Sequence, residues 1–270
     1  MEGEGPRLAG EAVGEGQPVV LLHGVTATRR YVVHGSKALP RRGFRQLAYD
    51  ARGHGESGPA PAGEGYDYPA LASDLGRVIE RHCEGKPVLA GHSMGCHTAA
   101  AFALAAPERV EAVVLIGPVS LGLPAPQETL AHWDRLAEGM ERGGVEGFMQ
   151  AYETDLAVSA AWRERVLQFT RERMERHRDT GAMAKVLREV ARSVPFEGLV
   201  ELESLDLPAL VIASHDDADP GHPYSVAEAW AGSLPRGELV SEEPGEAPLA
   251  WQGGKLARAI ADFCERGKSG

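Results

Sequence analysis

Short apolar runs alternate with longer amphipathic segments along most of this chain. The runs at 17–24, 44–50, 87–93, 109–118, 208–216 and 237–243 are rich in Val, Leu, Ile and Ala. Each closes on glycine, proline, aspartate, serine or glutamate, the pattern of strands buried on both faces. Between them, 31–39, 68–82, 94–106, 224–233 and 253–265 carry apolar residues at helical spacing and are bounded by glycine, proline or polar turns. This alternation predicts an α/β fold, a mainly parallel open twisted sheet flanked by helices.

The rhythm breaks from 119 to 200, where no strand is evident and Met183, Val186, Leu187 and Val190 recur at i, i+3, i+4 and i+7. The expectation is a helical cap at 119–200 inserted into a core made of 1–118 and 201–270. Within it, 161–178 interleaves apolar positions with arginine and glutamate, which reads as a solvated helix face with i,i+4 charge pairs.

With 270 residues and 43% apolar content, the chain is long enough for one large core and an insertion. Its 28 basic residues against 39 acidic ones give a net charge of -11, and the basic pairs are only Arg29-Arg30 and Arg41-Arg42. That balance argues against a nucleic-acid or anionic-membrane partner. The opening MEGEGPRLAG lacks the charged-then-apolar pattern of a secretory leader, and no apolar run approaches a membrane span, so a soluble cytoplasmic protein is expected. Cys83, Cys96 and Cys264 are odd in number and widely spaced, which suggests neither a disulfide framework nor a metal site.

The chemistry centres on residues 91–95, GHSMG, which follow an apolar run and lead directly into a helical segment. A strand passing at once into a helix must turn sharply, and flanking glycines remove the Cβ clashes that such a turn creates. The turn exposes the Ser93 hydroxyl at the positive end of the helix, where the Met94 N–H is free to meet a developing oxyanion.

Upstream, His23-Gly24 closes one strand, and the next ends in Tyr49-Asp50 followed by Arg52, Gly53, His54, Gly55, Glu56 and Ser57. Together with GHSMG and the later strand PALVIASHDD, these motifs resemble the α/β-hydrolase family, over nearly the whole chain. The resemblance implies Ser93 as nucleophile and an oxyanion hole formed by the backbone N–H groups of Val25 and Met94. It implies an acid after PALVIAS, where the family spacing from Ser214 selects Asp217 among Asp216, Asp217 and Asp219. It implies bracing roles for His23 and His54, and a first strand that is missing or very short.

The family's last catalytic residue is a histidine in a GH pair after the final strand, and here that register holds Gly245-Glu246, with no histidine after His222. A serine hydroxyl needs a base within hydrogen-bond reach. His222, in the loop DPGHP beyond Asp217, is the first candidate, and Glu246 is the second. His92 is expected to point away from Ser93 by strand alternation, and His97 to face the sheet or a neighbour.

The expected activity is cofactor-independent hydrolysis of a small, apolar carboxylic ester or lactone, with no metal. Trp133, Phe148, Met149, Tyr152 and Trp162 are the larger apolar residues available to roof the pocket. Two rivals keep the fold: a lyase or isomerase using Ser93 as a hydrogen-bond donor with Glu246 as acid or base, and a binder of a small ligand.

Overall fold

The computed structural model describes residues 5–267; residues 1–4, part of the stretch read for a leader, lie outside them. Seven strands form one sheet: β1 (Gly10–Val13), β2 (Gln17–Leu22), β3 (Phe44–Tyr49), β4 (Val88–His92), β5 (Ala112–Ile116), β6 (Ala209–Ile212) and β7 (Gly237–Val240). Their order across the sheet is β1-β3-β2-β4-β5-β6-β7. All neighbours are parallel except β1, which pairs antiparallel with β3. The helices are α1 (Ala38–Arg41), α2 (Tyr68–His82), α3 (Met94–Ala105), α4 (Gln127–Asp155), α5 (Ala160–Met174), α6 (Thr180–Arg192), α7 (Tyr224–Ser233) and α8 (Gly253–Gly267).

Alternation along the strands divides the core into two layers. Val20, Leu22, Leu89, Val113, Leu115 and Val211 face Leu75 and Ile79 of α2, Phe102 of α3 and Trp230 of α7. Val19, Leu21, Val114, Ile116, Leu210 and Ile212 face Leu39 of α1 and Leu256, Ile260 and Phe263 of α8. Both faces are therefore covered, which is why the central strands read as continuous apolar runs. Truncating one of these fully buried Leu or Ile side chains to Ala costs about 2–5 kcal/mol.

In the chain's first third one expectation is corrected, and the other, a first strand missing or very short, is resolved to a very short one. The segment 31–39 holds only the end of a 3-10 turn and the start of the short α1, because Gly35 at φ +74° and Ser36 interrupt the apolar pattern. The very short first strand exists as β1, four exposed residues held by backbone pairing to β3.

Between β5 and β6 lie α4, α5 and α6, with α4 broken at Gly144, where φ is +59° and ψ -140°. Asp179 caps α6 by accepting from the Ala182 N–H at 2.8 Å. Leu136, Met140, Phe148, Met149, Met174, Met183 and Leu187 from these helices pack as one cluster with Met94, Tyr66, Tyr68 and Leu71. The helices thus sit over the carboxyl ends of the strands, directly above the start of α3, the edge at which open α/β sheets hold ligands.

Candidate active site

β4 ends at His92 and α3 begins at Met94, so Ser93 alone makes the turn, at φ +52° and ψ -116°. A non-glycine residue in this region is strained and needs surrounding contacts to hold it there. Those contacts are the Ser93 N–H donating to the Ile116 carbonyl at 2.8 Å and the Ser93 carbonyl accepting from the His97 N–H at 3.1 Å. A Cβ on Gly91 would lie 2.1 Å from the Gly95 carbonyl oxygen, and one on Gly95 would lie 2.3 Å from that of Leu22. Both glycines are therefore dictated by backbone contact, and the GxSxG spacing follows from packing.

The loop after β2 runs beside this turn: a Cβ on Gly24 would approach Ser93 Cβ to 3.3 Å. Among the described residues, the Val25 and Met94 N–H groups have no hydrogen-bond acceptor. The loop is held from below by histidines. His23 Nδ1 donates to the Gly24 carbonyl at 2.9 Å and Nε2 accepts from the Ala51 N–H at 2.9 Å. His54 faces the Arg52 and Val25 carbonyls at 2.9 and 3.0 Å, and the neutral ring donates to one of them. His177, just beyond α5, accepts from the Gly55 N–H at 3.0 Å and reaches the Thr26 carbonyl at 3.3 Å. The rings stack edge to face, His23 to His54 at 4.8 Å and His54 to His177 at 5.5 Å.

Burial, followed by repulsion from His54, pushes His23 and His177 down to about 3, so all three rings of this stack are held toward the neutral form. Asp50, fully buried, accepts from the N–H groups of Arg29 (2.8 Å) and Glu56 (2.9 Å) and pairs with the Arg29 guanidinium. Arg52, also buried, makes a bidentate pair with Asp74 of α2 at 2.7 and 2.8 Å. The residues of the DxRGHGES motif thus anchor the loop that carries Val25.

The loop after β6 brings a carboxylate and a histidine together. His222 Nδ1 donates to Asp219 Oδ1 at 2.7 Å, and both side chains are largely enclosed, at 17% and 12% exposure. Asp217, the residue selected by family spacing, is exposed in this loop, while Asp216 accepts from the Tyr224 N–H at 3.0 Å. Three residues back from His222, only Asp219 faces the imidazole. Burial alone would raise the Asp219 carboxyl, but His222, His92 and Arg173 together hold it below the usual range.

Glu246 lies in an exposed turn beyond β7. Gly245 at φ +87° turns the chain, the Glu246 N–H bonds the Glu243 carbonyl at 3.0 Å, and the side chain is 48% exposed beside Lys255 Nζ at 3.4 Å. The buried carboxylate at this end of β7 is Glu242, which accepts from the His215 N–H (2.7 Å) and the Leu249 N–H (3.1 Å). It fastens the two loops together.

His92 ends β4 close to His222. Its ring lies 4.9 Å from that of His222, in the space left where Gly24 and Gly117 carry no side chain. A Cβ on Gly24 would stand 3.1 Å from His92 Nδ1, and one on Gly117 would stand 3.1 Å from His222 Cδ2. The signal in the sequence was the glycine ending each neighbouring strand. His97 bonds the Tyr68 hydroxyl at 2.9 Å and accepts from the Val119 N–H at 3.3 Å, away from Ser93.

Comparison with known proteins matches residues 17–158, just over half of the chain, to the family described as alpha/beta hydrolase fold. This chain belongs to that family. Among α/β-hydrolase relatives, a Synechocystis protein named by inference as a non-heme chloroperoxidase is 30% identical over 84% of this chain and 81% of its own. AB hydrolase superfamily protein YisY of Bacillus subtilis is 39% identical over 32% of this chain, a match that spans only 31% of that protein. A thermophilic esterase from Thermogutta terrifontis superposes with a TM-score of 0.79 at 26% identity, over 96% of this chain and 93% of its own. The enol-lactonase from Burkholderia xenovorans shares the fold, with a TM-score of 0.76 at 22% identity over 98% and 97% of the two chains.

Proposed function

We propose that this α/β hydrolase cleaves a small carboxylic ester or lactone through an acyl-enzyme on Ser93, with His222 as base and Asp219 as its orienting acid. What supports the reading is the strained Ser93 turn together with a largely enclosed Asp219–His222 pair, whose imidazole lies 4.9 Å from the ring of His92, the residue before Ser93. The bond from His222 Nδ1–H to Asp219 fixes the tautomer that leaves Nε2 without a proton, as a general base requires. Ser93 Oγ attacks the carbonyl carbon, His222 Nε2 takes the hydroxyl proton, and the Val25 and Met94 N–H groups receive the oxyanion. His222 then protonates the leaving alkoxide, and a water activated by the same imidazole releases the acid and regenerates Ser93. The substrate enters beneath a helical cap formed by α4 to α6.

The rival that uses Glu246 as acid or base loses its motivation, since that carboxylate is exposed and beside Lys255. A binder without turnover keeps one supporting observation: among the described residues, Ser93 Oγ has no hydrogen-bond partner. Labelling with a fluorophosphonate, followed by turnover of a short-chain aryl ester, separates the two. Stoichiometric modification of Ser93, absent in Ser93→Ala and much reduced in His222→Ala, is the expected result. An unlabelled Ser93 rejects the hydrolase.

A further inference from the structure

The Asp219–His222 pair has a third member that ester hydrolysis does not use. His92, Asp219 and His222 each offer one ligating atom, and these atoms all lie within 4.8 Å of one another. His92 Nε2 is buried and has no hydrogen-bond partner, an arrangement that leaves a polar atom unpaid unless an ion or water meets it. We propose that these three side chains form a binding site for a late first-row divalent cation such as zinc, and that filling it switches the base off.

Two imidazoles and one carboxylate suit zinc, cobalt(II) or copper(II) and offer too few oxygens for magnesium or calcium. Zinc with bonds of about 2.0–2.1 Å places tetrahedral ligands about 3.4 Å apart. The 2.7 Å separation of His222 Nδ1 and Asp219 Oδ1 therefore opens slightly on binding, while His92 closes in. Ligation requires unprotonated imidazoles. The buried His92 Nε2, with no hydrogen-bond partner, is placed to supply one such lone pair. Asp219 supplies the one negative charge, against the positive field of Arg173 on α5, whose Nε is itself buried without a partner. His222 and Asp219 keep some exposure to solvent, which gives an ion its entry.

The switch follows from the two nitrogens of His222, and this half of the inference rests on the hydrolase reading. If the ion takes Nε2, the lone pair needed for the serine proton is occupied. If it takes Nδ1, the ring proton moves to Nε2, and the base is again lost. Coordination through either atom stops proton transfer, and coordination through Nδ1 also replaces the bond to Asp219.

Titration of the intact chain with cobalt(II), followed by its visible ligand-field absorption and by zinc competition, tests the site without reference to activity. The expected result is one equivalent of cobalt(II), displaced by zinc and retained in Ser93→Ala. The affinity should fall about tenfold or more in His92→Gln and in Asp219→Asn. His222→Gln, at a more exposed position, serves should the buried His92 variant fail to fold, with circular dichroism as the check on each. No ligand-field absorption, or an unchanged titration in correctly folded ligand variants, overturns the site. In parallel, zinc is expected to abolish ester turnover with the same midpoint as its displacement of cobalt(II). A Ser93 that is labelled and turns over with zinc saturating the site overturns the switch. Cobalt(II) binding in a protein whose Ser93 takes no label supports the site while rejecting the hydrolase.

Discussion

Replacing Asp219 by Asn should lower kcat/KM about a thousandfold, while Asp217→Asn leaves it unchanged. As the serine proton moves, His222 becomes an imidazolium whose centre of charge lies about 4 Å from the carboxylate 2.7 Å from its Nδ1. At an effective dielectric constant of about 20, that pair is worth about 4 kcal/mol. Each 1.36 kcal/mol is a factor of about ten in rate, which gives three decades. Exposures of 17% and 12% leave little solvent screening to reduce the figure. Asn fills the same volume, so packing is kept while the charge is lost. Its amide can also donate to Nδ1 and select the tautomer that carries the proton on Nε2. Steady-state hydrolysis of a short-chain aryl ester by the two variants, with thermal denaturation to check the fold, is the assay. An Asp219→Asn rate within about tenfold of wild type, or an equal loss in Asp217→Asn, refutes the reasoning.

Glu246→Gln should leave kcat/KM unchanged, because the carboxylate is half exposed and faces Lys255; a large loss in the same assay would return it to the mechanism. Gly95→Ala should destabilise the protein by about 1–3 kcal/mol or more in urea denaturation, since the new methyl would stand 2.3 Å from the Leu22 carbonyl oxygen. Stability should fall on acidification from about pH 6.5 toward pH 3, because His23, His97 and His177 are pushed down to about 3 when folded and return to about 6.5 when unfolded. In that window the unfolded chain binds more protons, so each histidine contributes a slope of up to about 1.4 kcal/mol per pH unit, with full stability above the unfolded value. Urea midpoints measured from pH 7.5 to 4.5 check this, and His23→Gln should flatten the profile.

The central strands were legible because parallel strands covered on both faces leave continuous apolar runs, and α2, α3, α7 and α8 were legible from helical spacing with clear stops. β1 left no such trace: GEAV is exposed throughout and is a strand only because β3 offers it backbone partners. The site residues divide the same way. Ser93 is marked by two glycines that backbone contacts impose, so its turn was written in the local sequence. Asp219 was missed because counting from Ser214 assumes a fixed loop path, whereas this loop turns Asp216 and Asp217 outward and brings Asp219 beneath His222. The approach of His92 to His222 was not legible because it depends on two glycines from separate strand ends, Gly24 and Gly117, leaving room for the two rings.

The closeness of Asp219 and His222 along the chain has a consequence for the ways this protein can change. Their mutual geometry depends on three peptide units of a single loop and not on the spacing of two strands. In the proposed mechanism the final strand and its turn, where Glu246 is half exposed, hold no reactive group. Substitutions and length changes there alter the rim without breaking the pair, whereas one inserted residue between 219 and 222 would separate its members.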